Sequence, residues 1–426
     1  MTRQMKDSGI EWIGEIPTDW SVDRLQWHLE EIKVQNSPVQ SEQVLSLTIE
    51  SGVIPYEEKG NQGNKAKENY EEYKLAYPDT LVVNSMNVII GAVGISKYFG
   101  CVSPVYYVFR ASEGPDLRYI YYLFTNVGFQ KEMRKYAKGI LEIRLRISAS
   151  DMLKRIIPNP SYEEQYRISD FLDKKCAEID TVIAKTKATI DEYKNLKQQI
   201  IIEAITKGIR QNRTFKDSGI DWIGQVPIET EIIKIKYITD ISRGLFNHRP
   251  RNDERYYGGD YPFIQTGDVA RAGKYITAYS QTLNELGISI SKQFPKGTMT
   301  MTIAANVGDV AILGFDAYFP DSVVGFTPKE GFLENYIYYL FCSMKEMFMR
   351  TAVVSTQLNL NLDRIKELFV PITRNLDEQK EIADYLDKKC GEVDSLIAKK
   401  TTLFEEMESY KKSLIYEYVT GKKEVP

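Results

Sequence analysis

Two stretches of this 426-residue chain gather side chains that hold anions and hydrogen-bond in fixed directions. Residues 128–155 contain eight basic residues against three acids, a local charge of +5. Lys138, Arg144 and Arg146 lie within it. Residues 234–255 contain six basic residues and His248 against three acids. Here Arg243 leads into the loop Gly244-Leu-Phe-Asn-His-Arg-Pro-Arg-Asn, which carries Asn247, His248, Arg249 and Arg251. A guanidinium can grip guanine O6 and N7 with two hydrogen bonds, an Asn or Gln amide can do the same to adenine N6 and N7, and all of them can reach phosphates. Aligned through Pro158 and Pro371, the second-half counterparts of Arg144 and Arg146 are Gln357 and Asn359. That exchange is expected to move a base preference from guanine towards adenine. The two clusters are assigned to DNA contact.

Other chemistries are poorly served. His28 and His248 are the only histidines, and the four cysteines are not close-paired, so no metal cage and no His-dependent triad is expected. Gly267 to Lys274 resembles a phosphate loop, but its spacing is one residue too long and Tyr275 stands where Ser or Thr must hold magnesium. Asn159-Pro-Ser-Tyr resembles the motif of amino-methyltransferases, yet no Gly-rich turn for S-adenosylmethionine precedes it, so it is read as the start of a helix. No catalytic set is found. The net charge of −4 confines any DNA contact to local patches. With no apolar run near 18 residues, the chain is expected to be soluble and cytoplasmic, without a membrane partner.

The elements that position these clusters come in two copies. KDSGIEWIGEIP at residues 6–17 returns as KDSGIDWIGQVP at 216–227, with nine of twelve positions identical. YIYYLF at 119–124 returns unchanged at 336–341, and residues 164–185 match 378–399 at fourteen of 22 positions. The order is kept and the offset stays between 210 and 217, so the chain is two copies of one module. The middles share only faint echoes. Matched ends with divergent middles fit one frame carrying two readers.

The matched ends are predicted to be helices. Ile168, Leu172, Cys176, Ile179, Ile183, Ile190, Tyr193, Leu196 and Ile200 recur at coiled-coil spacing. Ile382, Leu386, Cys390, Val393, Ile397, Phe404, Met407, Tyr410 and Leu414 repeat the ladder 214 residues on. A helix from Glu164 to Lys207 would be about 65 Å long. Two such helices are expected to pack antiparallel as a rod that holds the readers apart. The middles read as short strands at 81–83, 87–90, 105–109, 298–303 and 310–313, closed by helices over 117–136 and 333–350. The tyrosines of the latter are assigned to the core, because both copies keep them where specificity should differ.

The expected fold is therefore α+β. It has two mixed α/β target-recognition domains separated by two long antiparallel coiled-coil helices, with an internal pseudo-twofold repeat. The expected boundaries are a frame segment over 1–20, a first recognition domain over 21–160 and a first spacer helix over 161–210. A repeated frame segment over 211–227, a second recognition domain over 228–373 and a second spacer helix over 374–426 follow.

The duplicated KDSGI(E/D)WIG segments, the EQxxIxxxLDKKCxE(I/V)D helix starts, and the tracts IIEAITKG, IYEYVTGKK, YPFIQTGDV and TIAANVGDVAI resemble the specificity subunit of Type I restriction–modification systems. The resemblance covers essentially the whole chain. It implies a non-catalytic subunit that reads a split double-stranded DNA target, one half per domain, with the helices setting the gap. It implies two methyltransferase (modification) partners carrying S-adenosylmethionine, which methylate adenine N6, and two motor–nuclease (restriction) partners using ATP and magnesium. This chain itself is expected to bind no cofactor and no metal. The alternative is a scaffold whose divergent domains hold proteins; the acidic pI favours it, and the Arg, Asn and Gln loops oppose it.

Overall fold

The structure is a computed structural model that describes residues 3–60, 69–139, 145–248, 253–304, 307–351, 353–354, 358–359 and 361–426, with the backbone alone over 353–354 and 358–359. The chain forms two compact units, residues 1–187 with 402–426, and residues 188–401. Two long helices, Tyr162–Lys207 and Leu376–Val419, contribute one half each to both units.

In the first unit, a four-stranded antiparallel sheet runs in the order Leu29–Glu31, Tyr106–Ala111, Leu81–Asn84, Val93–Ile95. Leu81, Val83 and Phe109 face the helix Leu117–Thr125, while Val82 and Val108 face Leu45, Leu47 and Val53. Burial on both faces explains why the run Leu-Val-Val at 81–83 lacks polar alternation. Phe171 faces Tyr418 with ring centroids 4.5 Å apart, Asp180 faces Lys411, and Lys187 lies 5.1 Å from the Phe404 ring. The helix halves are therefore antiparallel.

In the second unit, a five-stranded sheet runs Thr239–Arg243, Val323–Pro328, Met299–Thr302, Val310–Leu313, Tyr275–Ile276, with only the last pair parallel. A four-stranded sheet runs Gln281–Leu283, Tyr257–Phe263, Ala317–Tyr318, Gln293–Phe294. The core joins Met299, Met301 and Phe326 to the helix Glu334–Ser343, and to Ile201, Ala204, Ile382 and Leu386 of the long helices.

The repeated sequence is the sequence that holds each domain to its helices. Gln165 accepts from the Asp116 backbone N–H at 3.0 Å and donates to the Pro160 carbonyl at 3.0 Å. Gln379 accepts from Leu333 N–H at 2.8 Å and donates to the Thr373 carbonyl at 2.9 Å. Arg3 pairs with Glu164 at 2.7 Å, and Arg213 with Glu378. The turn after Asp7 needs Gly9 at φ 67°, and its copy needs Gly219 at φ 72°. The tyrosines assigned to the core are there: Tyr119, Tyr122, Tyr336 and Tyr339 are buried.

Ile168, Leu172, Ile179, Ile382, Leu386 and Val393 are buried along the helices, with Ile183 and Ile397 half-buried. The ladder needs correction further on. Leu196 is 44% exposed and Tyr410 51%. From Tyr193, a step of three falls about 60° short of a full turn and a step of four overshoots by about 40°. The seam takes the step of four, to Lys197 and to its counterpart Lys411, whose stems pack while their ammonium groups reach carboxylates.

Three further expectations change, the first being the helix expected over 333–350, which divides at Met344 into Glu334–Ser343 and Lys345–Thr351. Residues 87–90 form a single 3₁₀ turn, Val88–Ile90, closed by Gly91 at φ 90°. The helix expected over 117–136 divides into Leu117–Thr125 and Val127–Arg134, because Asn126 turns extended and its side chain accepts from Gly128 and Phe129. Asn159-Pro-Ser-Tyr is a helix start, with Ser161 Oγ accepting from Glu164 N–H at 3.3 Å.

Candidate nucleic-acid interface

In the first unit, Lys138 and Arg146 exchange two backbone hydrogen bonds of 2.8 Å, forming an isolated antiparallel bridge. Both side chains are exposed. The bridge is tied to the sheet by Ile147 N–H donating to the Ser85 carbonyl at 3.1 Å and by the Tyr107 hydroxyl donating to the Ile147 carbonyl at 3.4 Å. Arg144 lies outside the described residues.

Folding adds cations that the sequence did not single out. Lys74 donates to the Tyr106 carbonyl at 2.7 Å, and its ammonium sits 5.1 Å from the Tyr107 ring centre. Burial pushes its pKa down; Glu31 opposes this, and Lys33 and Arg146 push it further down. Lys33, Lys74, Arg146 and Lys138 thus converge, although they span more than a hundred residues of sequence. Like charges held together by a fold are stabilised by a polyanion. Beside them opens a cleft of about 780 Å³ whose walls include Glu50, Asn84, Asn87 and Tyr106.

The basic run over 128–155 is not all available to a ligand. Lys135 is paired with Glu11 at 2.6 Å and Glu132 at 2.9 Å, and Arg155 lies 3.3 Å from the Tyr136 ring centre. Those two cations serve the domain itself.

In the second unit, Arg243 ends its strand with Nε donating to the Asp321 carbonyl at 2.7 Å. Gly244 follows because the carbonyls of Phe319 and Pro320 press on the place where a Cβ would stand. Phe246 is buried and Asn247 exposed, its N–H donating to the Ile290 carbonyl at 3.3 Å. The His248 ring stands 3.0 Å from Asp253 and lies tilted against Tyr256 with centroids 4.4 Å apart. Arg255, 2.6 Å from Asp253, holds that carboxyl well below the usual carboxylate range. Lys292 joins the group through Ser242 Oγ, with its ammonium 5.2 Å from the Phe294 ring centre.

The structure therefore groups Arg243, Asn247 and His248, and adds Arg255 and Lys292. Arg249, Arg251 and Gln357 lie outside the described residues. Asn359 sits on a two-stranded ribbon, Val353–Val354 with Leu358–Asn359, of which the backbone alone is described.

Among the described residues no cluster of ligating side chains could hold a metal ion, and no helix is long and apolar enough to cross a membrane. The buried thiols are held above their ordinary range, at about 11 for Cys176 and Cys390, chiefly by burial.

Known proteins share this arrangement. The sequence model of the family described as "Type I restriction modification DNA specificity domain" matches residues 227–403. A putative type I restriction enzyme specificity subunit, MjaX of Methanocaldococcus jannaschii, is 25% identical over 429 residues, covering 96% of this chain and 95% of that protein. The MjaIX specificity subunit of the same organism is 30% identical over 182 residues, 42% of this chain and 41% of that one. A chain solved in a study of complex assembly and conformational transition of the type I R-M system aligns with a TM-score of 0.68 at 15% identity, covering 96% of this chain and 99% of that one. Duplicated domains on shared long helices, each with its own basic surface, define a helix-framed recognition protein. The chain is thus similar along nearly its whole length to specificity subunits of Type I restriction–modification systems.

Proposed function

We propose that this chain reads a split DNA target, one half per unit, and directs its partners to it without catalysis of its own. Specificity for the first half rests on the surface around Lys74, Lys138 and Arg146, with Arg144 beside it in sequence. Specificity for the second rests on Arg243, Asn247 and His248, with Arg249 and Arg251 next to them in sequence and with Gln357 and Asn359. Modification subunits bring S-adenosylmethionine and methylate adenine; restriction subunits bring ATP, magnesium and nuclease chemistry. Two copies of each join one specificity chain, in the cytoplasm.

One observation carries this reading. The contacts that fix each domain to its helices are repeated nearly residue for residue, while the exposed polar surfaces differ between the copies. A frame kept twice and a surface changed twice is what two different half-sites require.

The test is co-expression with a Type I methyltransferase subunit from the same genome in a methylation-free host, followed by mapping of N6-methyladenine. A single split motif that disappears when this chain is omitted is the expected result. A co-purifying complex that methylates nothing would sink the reading.

A further inference from the structure

One short turn of the first unit holds an amide that the fold leaves unused. Asn87 stands between the strand Leu81–Asn84 and the 3₁₀ turn Val88–Ile90, and its backbone is fixed on both sides. Its N–H donates to the Asn84 carbonyl at 3.2 Å, and its own carbonyl accepts from Ile90 and Ala92 N–H, both at 3.0 Å. Buried Asn84 holds the approach, its side chain accepting from Met86 N–H at 3.0 Å, and fully buried Val88 pins the turn in the core. An Asn at the head of a helical turn ordinarily caps it with its side chain. Asn87 does not, and among the described residues its amide has no hydrogen-bond partner.

Asn87 is exposed and lines the cleft of about 780 Å³. Ile90 stands three residues on, on the same side of the turn, because side chains at that spacing eclipse in a 3₁₀ turn. It is 55% exposed, and Ile49, on the cleft wall, is 57% exposed. The approach to the turn is joined to the basic surface by the Ser85 carbonyl, which accepts from Ile147 N–H next to Arg146.

These groups select their ligand. Lys33, Lys74, Lys138 and Arg146 supply the charge that a phosphate backbone requires. An isoleucine gains nothing from a phosphate, but it can cover the C5-methyl group of a thymine. A planar amide offers a donor and an acceptor side by side, which complements adenine N7 and N6 and no other base edge in the major groove. Because the turn already holds Asn87, little freedom is lost on contact.

We propose that Asn87 reads an adenine in the first half-site, its NH₂ donating to N7 and its oxygen accepting from the N6 amino group, with Ile90 against the methyl group of a thymine in the same or the adjoining base pair. An adenine held through N6 is not free to be methylated there, so it is a different adenine from the one that is modified. The assignment rests on the DNA reading proposed above and adds one base that the half-site must contain.

The full chain is co-expressed with a Type I methyltransferase subunit from the same genome in a methylation-free host, and the methylated motif is mapped for the natural chain and for Asn87→Ala. The variant is expected to release one A·T position of the first half-site to any base and to leave the second half as selective as before. The purified natural complex is then bound to duplexes with 7-deazaadenine at each adenine of the first half-site in turn. One unmethylated adenine, at the released position, should weaken binding about tenfold or more when N7 is removed, and should have no effect on Asn87→Ala. Uracil in place of the thymine should weaken the natural complex and not Ile90→Ala. The 7-deazaadenine scan needs no variant, so lost folding cannot imitate its result. A natural complex indifferent to every such substitution overturns the assignment, as does an Asn87→Ala chain that keeps the natural motif, releases a G·C position or loosens both halves alike. A natural complex that methylates no split motif overturns the DNA reading itself, and the role of Asn87 with it.

Discussion

Lys411 donates to both carboxylate oxygens of Asp180, at 2.6 and 2.7 Å, and so joins the end of one long helix to the middle of the other. The same contact recurs 214 residues away with the helices exchanged: Lys197 donates to Asp394 at 2.8 and 2.7 Å. Each helix thus supplies the acid in one unit and the base in the other. A pairing of this kind is self-complementary, like the interface of a symmetric dimer folded into one chain. It fixes which stretch of helix faces which, because a shift by one turn would leave both carboxylates opposite the wrong partner.

Reversing one charge should test that role. Asp180→Lys places like charges together and is expected to lower stability by about 1 kcal/mol, the pair being half exposed. Lys411→Asp in the same chain should restore most of it. Urea unfolding of the two single variants and the double variant closes the cycle. An additive double variant would mean that the pair contributes nothing.

The hydroxyl of Tyr122 donates to Asp173 at 2.7 Å, and Tyr339 donates to Asp387 at 2.6 Å. Burial, reinforced by the carboxylate, pushes both phenols well above their ordinary range, so each remains a donor at every accessible pH. Tyr122→Phe should cost about 1 kcal/mol. Arg118, 2.8 Å from Asp173, keeps that carboxylate paired and limits the loss. Tyr339→Phe should behave alike, with Lys274 in the place of Arg118. Denaturant midpoints check both.

His28 sets the units apart in their response to acid. Burial lowers its pKa, only partly offset by Asp23 at 3.5 Å, so the folded chain prefers the neutral ring. The unfolded chain takes up the proton first as pH falls. This contribution is therefore complete above about pH 6.5 and is lost below it, with a slope of at most about 1.4 kcal/mol per pH unit. The corresponding position in the second copy is the buried Ile238. Thermal unfolding between pH 7.5 and 5.5 should show the first unit weakening, and His28→Ile should flatten that dependence.

The sequence made the frame legible because helical periodicity and near-identical repeats both report on packing. Glu164, Gln165, Tyr119 and Tyr122 recur in the second copy since each makes a contact that allows little variation. The errors lie where local and distant forces compete. Asn126 caps a new helix inside what reads as one apolar stripe. Leu196 and Tyr410 look like seam residues until the phase of the helix is followed to Lys197 and Lys411. The reading surface was legible only as a charge count. Lys74 and Lys292 join it by folding, and Lys135 and Arg155 leave it by finding internal partners.

The two surfaces should fail separately. Arg146→Ala removes one charge from the group around Lys74 and Lys138, and is expected to weaken binding of the first half-site by about 1–3 kcal/mol if it touches a base. Pairing it with Arg144→Ala should deepen the loss without touching the second half-site. Gly244→Ala acts on the other surface without removing any charge. Its methyl group must displace the carbonyls of Phe319 and Pro320, and with them the strand end that aims Arg243 and Asn247. Second half-site recognition is expected to fall while the first is unchanged. Binding to duplexes altered in one half at a time, across a salt series, distinguishes the outcomes. A uniform loss on every duplex, with the salt slope of log K reduced by about one unit, would reassign Arg146 to a phosphate. A loss confined to the first half-site, with the slope kept, would make it a reader of bases.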